Sequence, residues 1–197
     1  MLDEKTINYY KDFFELDLIE LFGLLSLTRE KTVKEGEAYI QEGSQTRKLA
    51  YIQKGLIRTV YLKENGDEIT MLLRWEDQFF SSYDSIFFNR PSRFTYQALE
   101  DSVILEANYD EFMDYLNTHP RFAKAKDFFL ISMLAEAMER VESFVLMTPE
   151  ERYLSLIREK GDIVQRCHDK HLATWLGITP VSLSRIRKRI AETKKRY

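Results

Sequence analysis

The chain has 197 residues, 44% of them hydrophobic and 31% charged, with a formal net charge of −3. That balance fits a folded protein with a real core and excludes a disordered chain, a fibrous repeat and a bundle of membrane helices. A single cysteine, Cys167, excludes an internal disulfide and cannot alone hold an iron–sulfur cluster or a structural zinc. No run approaches the ~18 uncharged apolar residues of a membrane span. The acidic opening MLDEKTINYY lacks the basic flank and apolar run of a signal peptide, so the expected location is the cytoplasm.

The charge is unevenly placed. Residues 148–197 hold 12 Lys+Arg against 6 Asp+Glu, a formal +6, whereas the first 147 hold 17 against 26, a formal −9. Such asymmetry points to a C-terminal module that meets a polyanion. A basic tail that merely solvates a helix end would show the same charge.

The first thirty residues are expected to be helical, because Phe13, Phe14, Leu16, Leu18, Ile19, Leu21, Phe22, Leu24 and Leu25 are too dense for a solvated loop. From Thr32 the pattern turns to short runs rich in β-branched and aromatic residues. These are AYIQEG, KLAYIQKG, LIRTVYLK and EITMLLRW, punctuated by Gly36, Gly43, Gly55 and Gly66. The segment ENGDE at 64–68 carries the Asn-Gly pair of a tight hairpin. Two further strands are expected at 94–99 and 103–107. Strands at this spacing predict a closed antiparallel barrel or jelly roll.

Beyond Asn108 the chain reads as helical. Asn108 with Glu111 fits a capping box for YDEFMDYL, and Pro120 suits the first turn of a long helix running to about Leu146. On that helix Leu130, Leu134, Ala137, Val141 and Phe144 recur at the alternating spacing of a coiled-coil seam. A second apolar face, Phe128, Ile131, Ala135, Met138 and Val145, remains to be covered. One face can pack on the chain's own barrel and the other on a twin helix, making a homodimer; alternatively both lie within one monomer's core. A boundary is expected at Met147, since Thr148 and Glu151 in TPEE form a second capping box and the helix they start ends near Gly161.

The stretch HLATWLGITPVSLSRIRKRI at 171–190 fits a helix-turn-helix. Ala173 supplies the small residue where the helices cross, Gly177 the positive φ of the turn, and Leu183 and Ile186 the locking contacts. Leu172, Leu176, Ile178 and Ile190 fill the shared core, Thr179 can cap the second helix and Pro180 can start it. That leaves Val181, Ser182, Ser184, Arg185, Lys188 and Arg189 facing outward, a set suited to base edges and phosphates in a major groove.

With these elements in order, the chain from about Thr32 to Ile190 resembles the Crp/Fnr family of bacterial transcription regulators. The resemblance rests on the glycine-punctuated barrel of KEGEAYIQEG and IQKGLIRTVYLKENGDE, the long helix and the terminal helix-turn-helix. It implies an α+β chain in three parts. Residues 1–118 would form a cyclic-nucleotide-binding-type β jelly roll with flanking helices, 119–147 a long dimerisation helix, and 148–197 an all-α helix-turn-helix domain. It also implies binding of the dimer to a two-fold symmetric site on double-stranded DNA, with RNA polymerase a further candidate partner.

The departures are equally informative. Members that bind cyclic AMP carry a Gly-Glu pair and an Arg before a small residue; here FFSSYDSIFFNRPSRFTYQALED puts Ser81 and Ser82, then Ser92 and Phe94, in those places. The two strongest polar anchors for ribose and phosphate are thereby lost, so cyclic AMP is not expected to bind. Arg90 and Arg93 could rescue anion binding, although solvated loop cations are the favoured reading, and bulky Phe87, Phe88 and Phe94 could fill the cavity. No cofactor is expected and no effector is assigned. The oxygen-sensing branch needs a cysteine cluster, whereas Cys167 beside His168 is more simply an incidental thiol than a redox switch. Only seven residues follow Ile190, so phosphate contacts of a family β-wing would fall to Lys194, Lys195 and Arg196.

An enzyme is the competing class. Cupin-type barrels hold a metal through histidines on their strands, but His119, His168 and His171 all lie outside the predicted strands. No nucleophile elbow or phosphate-binding glycine loop is present. The other alternative is a small-ligand-binding module whose C-terminal helices dock a protein partner.

Overall fold

The computed structural model describes residues 4–118 and 120–194, with the side chains of Phe129 and Lys194 outside the description. The readings placed on His119, on Lys195 and Arg196, and on the Lys194 side chain therefore lie outside the described residues.

Two helices, α1 (Glu4–Phe14) and α2 (Leu18–Ser26), precede the barrel. Asp17 caps α2 by accepting from Glu20 N at 2.8 Å, while the Glu20 carboxylate accepts from Asp17 N at 2.8 Å. Phe14, Leu16 and Leu24 bury against Ala107 and Phe112, so this pair seals one outer face of the barrel. Helix ends earlier than expected: β1 spans Thr28–Val33, because the whole run pairs with a later strand from Thr28 opposite Ala107 to Val33 opposite Ser102.

The remaining strands are β2 (Ala38–Ile40), β3 (Lys48–Lys54), β4 (Ile57–Leu62), β5 (Glu68–Arg74), β6 (Phe79–Phe80), β7 (Thr95–Ala98) and β8 (Ser102–Asn108). They form two four-stranded antiparallel sheets, ordered β1-β8-β3-β6 and β2-β7-β4-β5, with Val33, Ile40, Ile52, Ile57, Tyr96 and Ile104 buried between them. This is the expected jelly roll. The Asn-Gly hairpin joins β4 to β5, with Gly66 at φ +86° and Lys63 N donating to Asp67 O at 2.9 Å. The two-residue β6 and the five-residue α3 (Tyr83–Phe87) were not expected, being too short to show a period.

Helix α4 (Tyr109–Asn117) starts where Asn108 accepts from Asp110 N and Glu111 N, at 2.9 and 3.2 Å. A 3-10 turn at Pro120–Phe122 leads into α5 (Ala123–Leu146), followed by α6 (Pro149–Lys160), α7 (Ile163–Arg166), α8 (Asp169–Leu176) and α9 (Pro180–Lys194). The Thr148–Glu151 capping box opens α6 as expected.

The orientation of α5 corrects one expectation. Its second apolar face does not cover the barrel: Phe128 packs beside α1, but Ile131, Met138 and Val145 are 65%, 50% and 74% exposed. The stripe turned toward the barrel is instead polar, with Glu136 paired to Arg74 of β5 and Arg140 donating to the Trp175 carbonyl of α8. The reason is the fully buried Arg74 guanidinium, which needs a carboxylate more than the helix needs an apolar floor. Leu130, Leu134, Ala137, Val141 and Phe144 are likewise exposed in the single chain. Among the described residues, no helix is long and apolar enough to cross a membrane.

Candidate nucleic-acid interface and barrel site

The helix-turn-helix forms as its residue types require. Gly177 adopts φ +74° between α8 and α9, and a Cβ there would lie 2.7 Å from Phe144 Cε1, so both backbone and packing demand glycine. Ala173, Leu172, Leu176 and Leu183 are fully buried, with Ile186 beside them. Thr179 Oγ1 accepts from Ser182 N at 3.2 Å and caps α9.

The core of this unit is continuous with the barrel. Leu56, Leu73 and Leu99 of the barrel share one apolar cluster with Leu156, Ile163, Leu172, Leu176 and Leu183. Polar contacts fasten the same junction. Thr70 N donates to Thr174 Oγ1 at 3.2 Å, and Arg166 on α7 bridges Glu76 and Glu100 at 2.7 and 2.6 Å. Burial would raise the Glu76 carboxyl, but the Arg166 contact prevails and brings it down to about 2. Arg58 of β4, itself buried, donates to His171 Nδ1 at 2.7 Å and to Glu68 at 2.6 Å.

Arg152 on α6 ties the helices together. Its guanidinium donates to Ser143 O at 3.1 Å, Met147 O at 2.6 Å and Leu176 O at 2.8 Å, which are end carbonyls of α5 and α8. The Phe144 ring lies 4.4 Å from the guanidinium carbons of both Arg152 and Arg140. Burial, with Arg152 close by, brings Arg140 down to about 10.

The outward face of α9 divides in two. Val181, Ser184, Arg185 and Lys188 are exposed on one side, as expected. Ser182 is half-buried with its hydroxyl 3.0 Å from Thr179 Oγ1, and Arg189 is ion-paired with Glu150 at the start of α6. Arg187, between them, is held by Asp169 at 2.7 Å and by the Tyr153 hydroxyl at 3.1 Å. Among the described residues, Arg185 makes no ion pair or hydrogen bond with another side chain.

Of the candidate effector residues, the three serines face inward and the two arginines are exposed. Ser81, Ser82 and Ser92 are buried; Ser81 donates to Lys48 O at 2.5 Å, Ser92 donates to Phe94 O at 2.7 Å, and Ser82 caps α3. Arg90 and Arg93 are exposed, at 48% and 62% of their side chains, but each has a partner. Both pair with the buried Asp84 carboxylate, at 2.6 and 3.1 Å, and Arg93 N donates to it at 3.1 Å. Burial alone would raise the Asp84 carboxyl, yet the two arginines hold it below its ordinary value. The spacing from Asp84 to Arg90 and Arg93 was visible in the sequence; the buried pairing was not. Phe87 and Phe88 point outward, with Phe88 64% exposed under Arg90, and only Phe94 joins the barrel core. Arg74 adds a buried cation here, donating to Tyr83 Oη at 2.7 Å and Glu136 at 2.5 Å, and so ties α3 to α5. Cys167 is buried in the core, which pushes its thiol up to about 12.

Residues 30–119 match the family model described as the cyclic nucleotide-binding domain. The fold of the whole chain is that of the Crp/Fnr regulators. FixK2 from Bradyrhizobium japonicum is similar over 85% of this chain and 86% of its own, with a TM-score of 0.72 at 13% identity. The global regulator CLP of Xanthomonas campestris gives a TM-score of 0.66 over 90% of this chain and 93% of its own, at 13% identity. The catabolite activator protein of Thermus thermophilus gives 0.55 over 92% and 87%, at 19% identity. No curated protein sequence matches the chain.

The junction has a pH signature. Burial, and then the Arg58 charge, pulls His171 down to about 4, so the folded chain keeps its imidazole neutral where the unfolded chain protonates it near 6.5. The stabilisation is present above the unfolded value and is lost as pH falls from about 6.5 toward 4. Between pH 7 and 5 the wild type should lose about 1–2 kcal/mol on this account. His171→Asn should flatten that slope in urea unfolding; an unchanged slope would show that His171 is not the titrating group.

Proposed function

We propose that the chain is a homodimeric, sequence-specific DNA-binding transcription regulator of the cytoplasm, without enzymatic activity, whose barrel does not bind cyclic AMP. The observation that carries this reading is the exposed side of α9, where Val181, Ser184, Arg185 and Lys188 stand clear on a helix braced by its partner and by the barrel. The similarity to a global regulator and to a catabolite activator protein supports it.

Dimerisation is supported by the exposed seam of α5, where Leu134 and Val141 are 64% and 56% exposed in the single chain. Leu134→Glu should place a charge in that seam, at a cost of several kcal/mol, and give a monomer by sedimentation. An unchanged dimer would place the interface elsewhere.

The barrel reading rests on Asp84, which already satisfies the arginines nearest the lost phosphate anchor. Calorimetry with cyclic AMP should therefore register no binding. A micromolar dissociation constant would overturn this part of the reading.

Sequence recognition is tested by selecting duplexes from a random library, then titrating the selected and scrambled duplexes. Arg185→Ala should weaken the selected duplex by roughly 1–3 kcal/mol per half-site and leave the scrambled one almost unchanged. Equal losses on both would mean that Arg185 holds phosphate and does not read bases.

A further inference from the structure

On the sheet ordered β1-β8-β3-β6 the outward side chains are apolar. Leu49 and Tyr51 of β3 stand opposite Ala107 and Leu105 of β8, on the face turned away from the layer buried between the sheets. A face left to solvent would carry polar residues at these positions. The first two helices cover it, with Phe14 and Leu24 buried against Ala107, and Ala125 at the start of α5 closes one end. The cover is incomplete. A cavity of about 80 Å³ remains beneath it, and none of Ser81, Ser82, Arg90, Ser92 and Arg93 lines its wall.

The wall decides what can enter. The Tyr51 hydroxyl donates to Asp77 at 2.6 Å, the Tyr10 hydroxyl is engaged with Tyr51, and Thr28 Oγ1 donates to Leu25 O at 2.8 Å. What faces the cavity is carbon surface alone. A buried water needs a few polar partners, so this space does not suit one. Natural cores are close-packed, and an empty void costs stability in proportion to its volume. Here the two smallest side chains on the wall, Ala107 and Ala125, hold the space open. Valine at position 107 would fill much of it, in a strand where β-branched side chains are favoured.

We propose that this cavity is a binding site for a short saturated alkyl group. A dry cavity of roughly 150 Å³ holds a benzene molecule, so one of about 80 Å³ has room for an alkyl group of about three carbons. The group is either a free small hydrocarbon or the end of a medium-chain fatty acid whose carboxylate stays in water. Its contacts reach the sheet, both N-terminal helices and α5 at once. A bound alkyl group therefore braces the cover. It also braces the base of α5, because the Phe13 and Phe14 rings pack edge-on against Phe128 at 5.2 and 5.3 Å.

Nuclear magnetic resonance on the full chain, with leucine and alanine methyls labelled, reads the site directly. Xenon and propane should each shift the methyl signals of Leu49, Leu105, Ala107 and Ala125 in a saturable way. Dimethyl ether has the shape of propane with an acceptor oxygen at its centre. It should bind at least about tenfold more weakly, because the wall has no donor to offer it. At ten times the dissociation constant of propane, amide exchange in α1 and α2 should slow about tenfold. Ala107→Val should abolish the propane response while keeping or raising the unfolding midpoint; if that variant does not fold, Ala125→Val makes the same test. Octanoate separates the two sources. Shifts of the same methyls at lower concentration than propane assign the site to a chain end, and octanoate without effect assigns it to a free hydrocarbon. If none of xenon, propane and octanoate shifts these methyls, if the filled variant keeps the response, or if dimethyl ether matches propane, the cavity is a packing void and the proposal falls. No step uses DNA, so that result would leave the DNA-binding reading standing.

Discussion

The buried guanidinium of Arg152 constrains the C-terminal half more than any other group. Taking such a cation out of water costs several kcal/mol unless hydrogen bonds replace its hydration. No carboxylate pairs with it among the described residues; its partners are the carbonyls of Ser143, Met147 and Leu176. Those oxygens belong to helix ends, where intrahelical donors are lacking and the dipoles are negative. The cation and the two helix ends thus satisfy one another, and neither α5 nor α8 can shift alone without exposing an unpaired group. Phe144 stacks on this cation and also abuts Gly177, so one ring links the exposed seam of α5 to the turn before α9.

A second set of contacts makes the helix-turn-helix an extension of the barrel. Leu56, Leu73 and Leu99 complete its core, and Arg58, Thr70, Glu76 and Glu100 hold its edge. Detaching the unit would expose that cluster and leave buried polar groups on both sides without partners. Arg74 does the same for the long helix, because separating it from Glu136 would strand a charge that is wholly buried. The direction of α9 relative to the seam is therefore set by packing rather than by a linker. At the edge of the barrel, the buried Asp84 carboxylate pairs with the exposed Arg90 and Arg93.

How much of this was legible in the sequence depends on the range of the interaction. Signals confined to a few residues were readable: the Asn65-Gly66 hairpin, the Asn108 and Thr148 caps, the Gly177 turn and the buried face of α9. The alternation of β3, β4 and β5 was equally plain. The facing of α5 was not, because an amphipathic pattern shows that a stripe wants cover without saying what covers it. The decision came from Arg74 and Glu136, 62 positions apart, and no local pattern marks such a pair. Phe87 and Phe88 misled for a similar reason, since hydrophobicity alone placed them in a cavity that the short α3 turns them away from. Arg189 read as an outward cation until the fold brought Glu150 beside it.

That last pairing bears on the charge asymmetry with which the chain began. The formal +6 of residues 148–197 overstates what α9 can offer a polyanion, because Arg187 and Arg189 are already neutralised and Arg166 is surrounded by Glu76, Glu100 and Asp162. An ion pair at the protein surface contributes little to stability, but it removes a charge from the local field at distances beyond the pair itself. On α9 that leaves Arg185 without a carboxylate partner among the described residues, Lys188 lying 3.9 Å from Glu192, against the formal −9 of the first 147 residues; fields between such exposed charges fade within a Debye length of about 8–10 Å. On the DNA-binding reading proposed above, a polyanion would be repelled by the acidic barrel and its flanking helices and would meet the chain along the exposed edge of α9. Acidity in the barrel and economy of free cations on α9 would then act together. They would weaken attachment to phosphate at large and leave more of the discrimination to the few side chains that reach the bases.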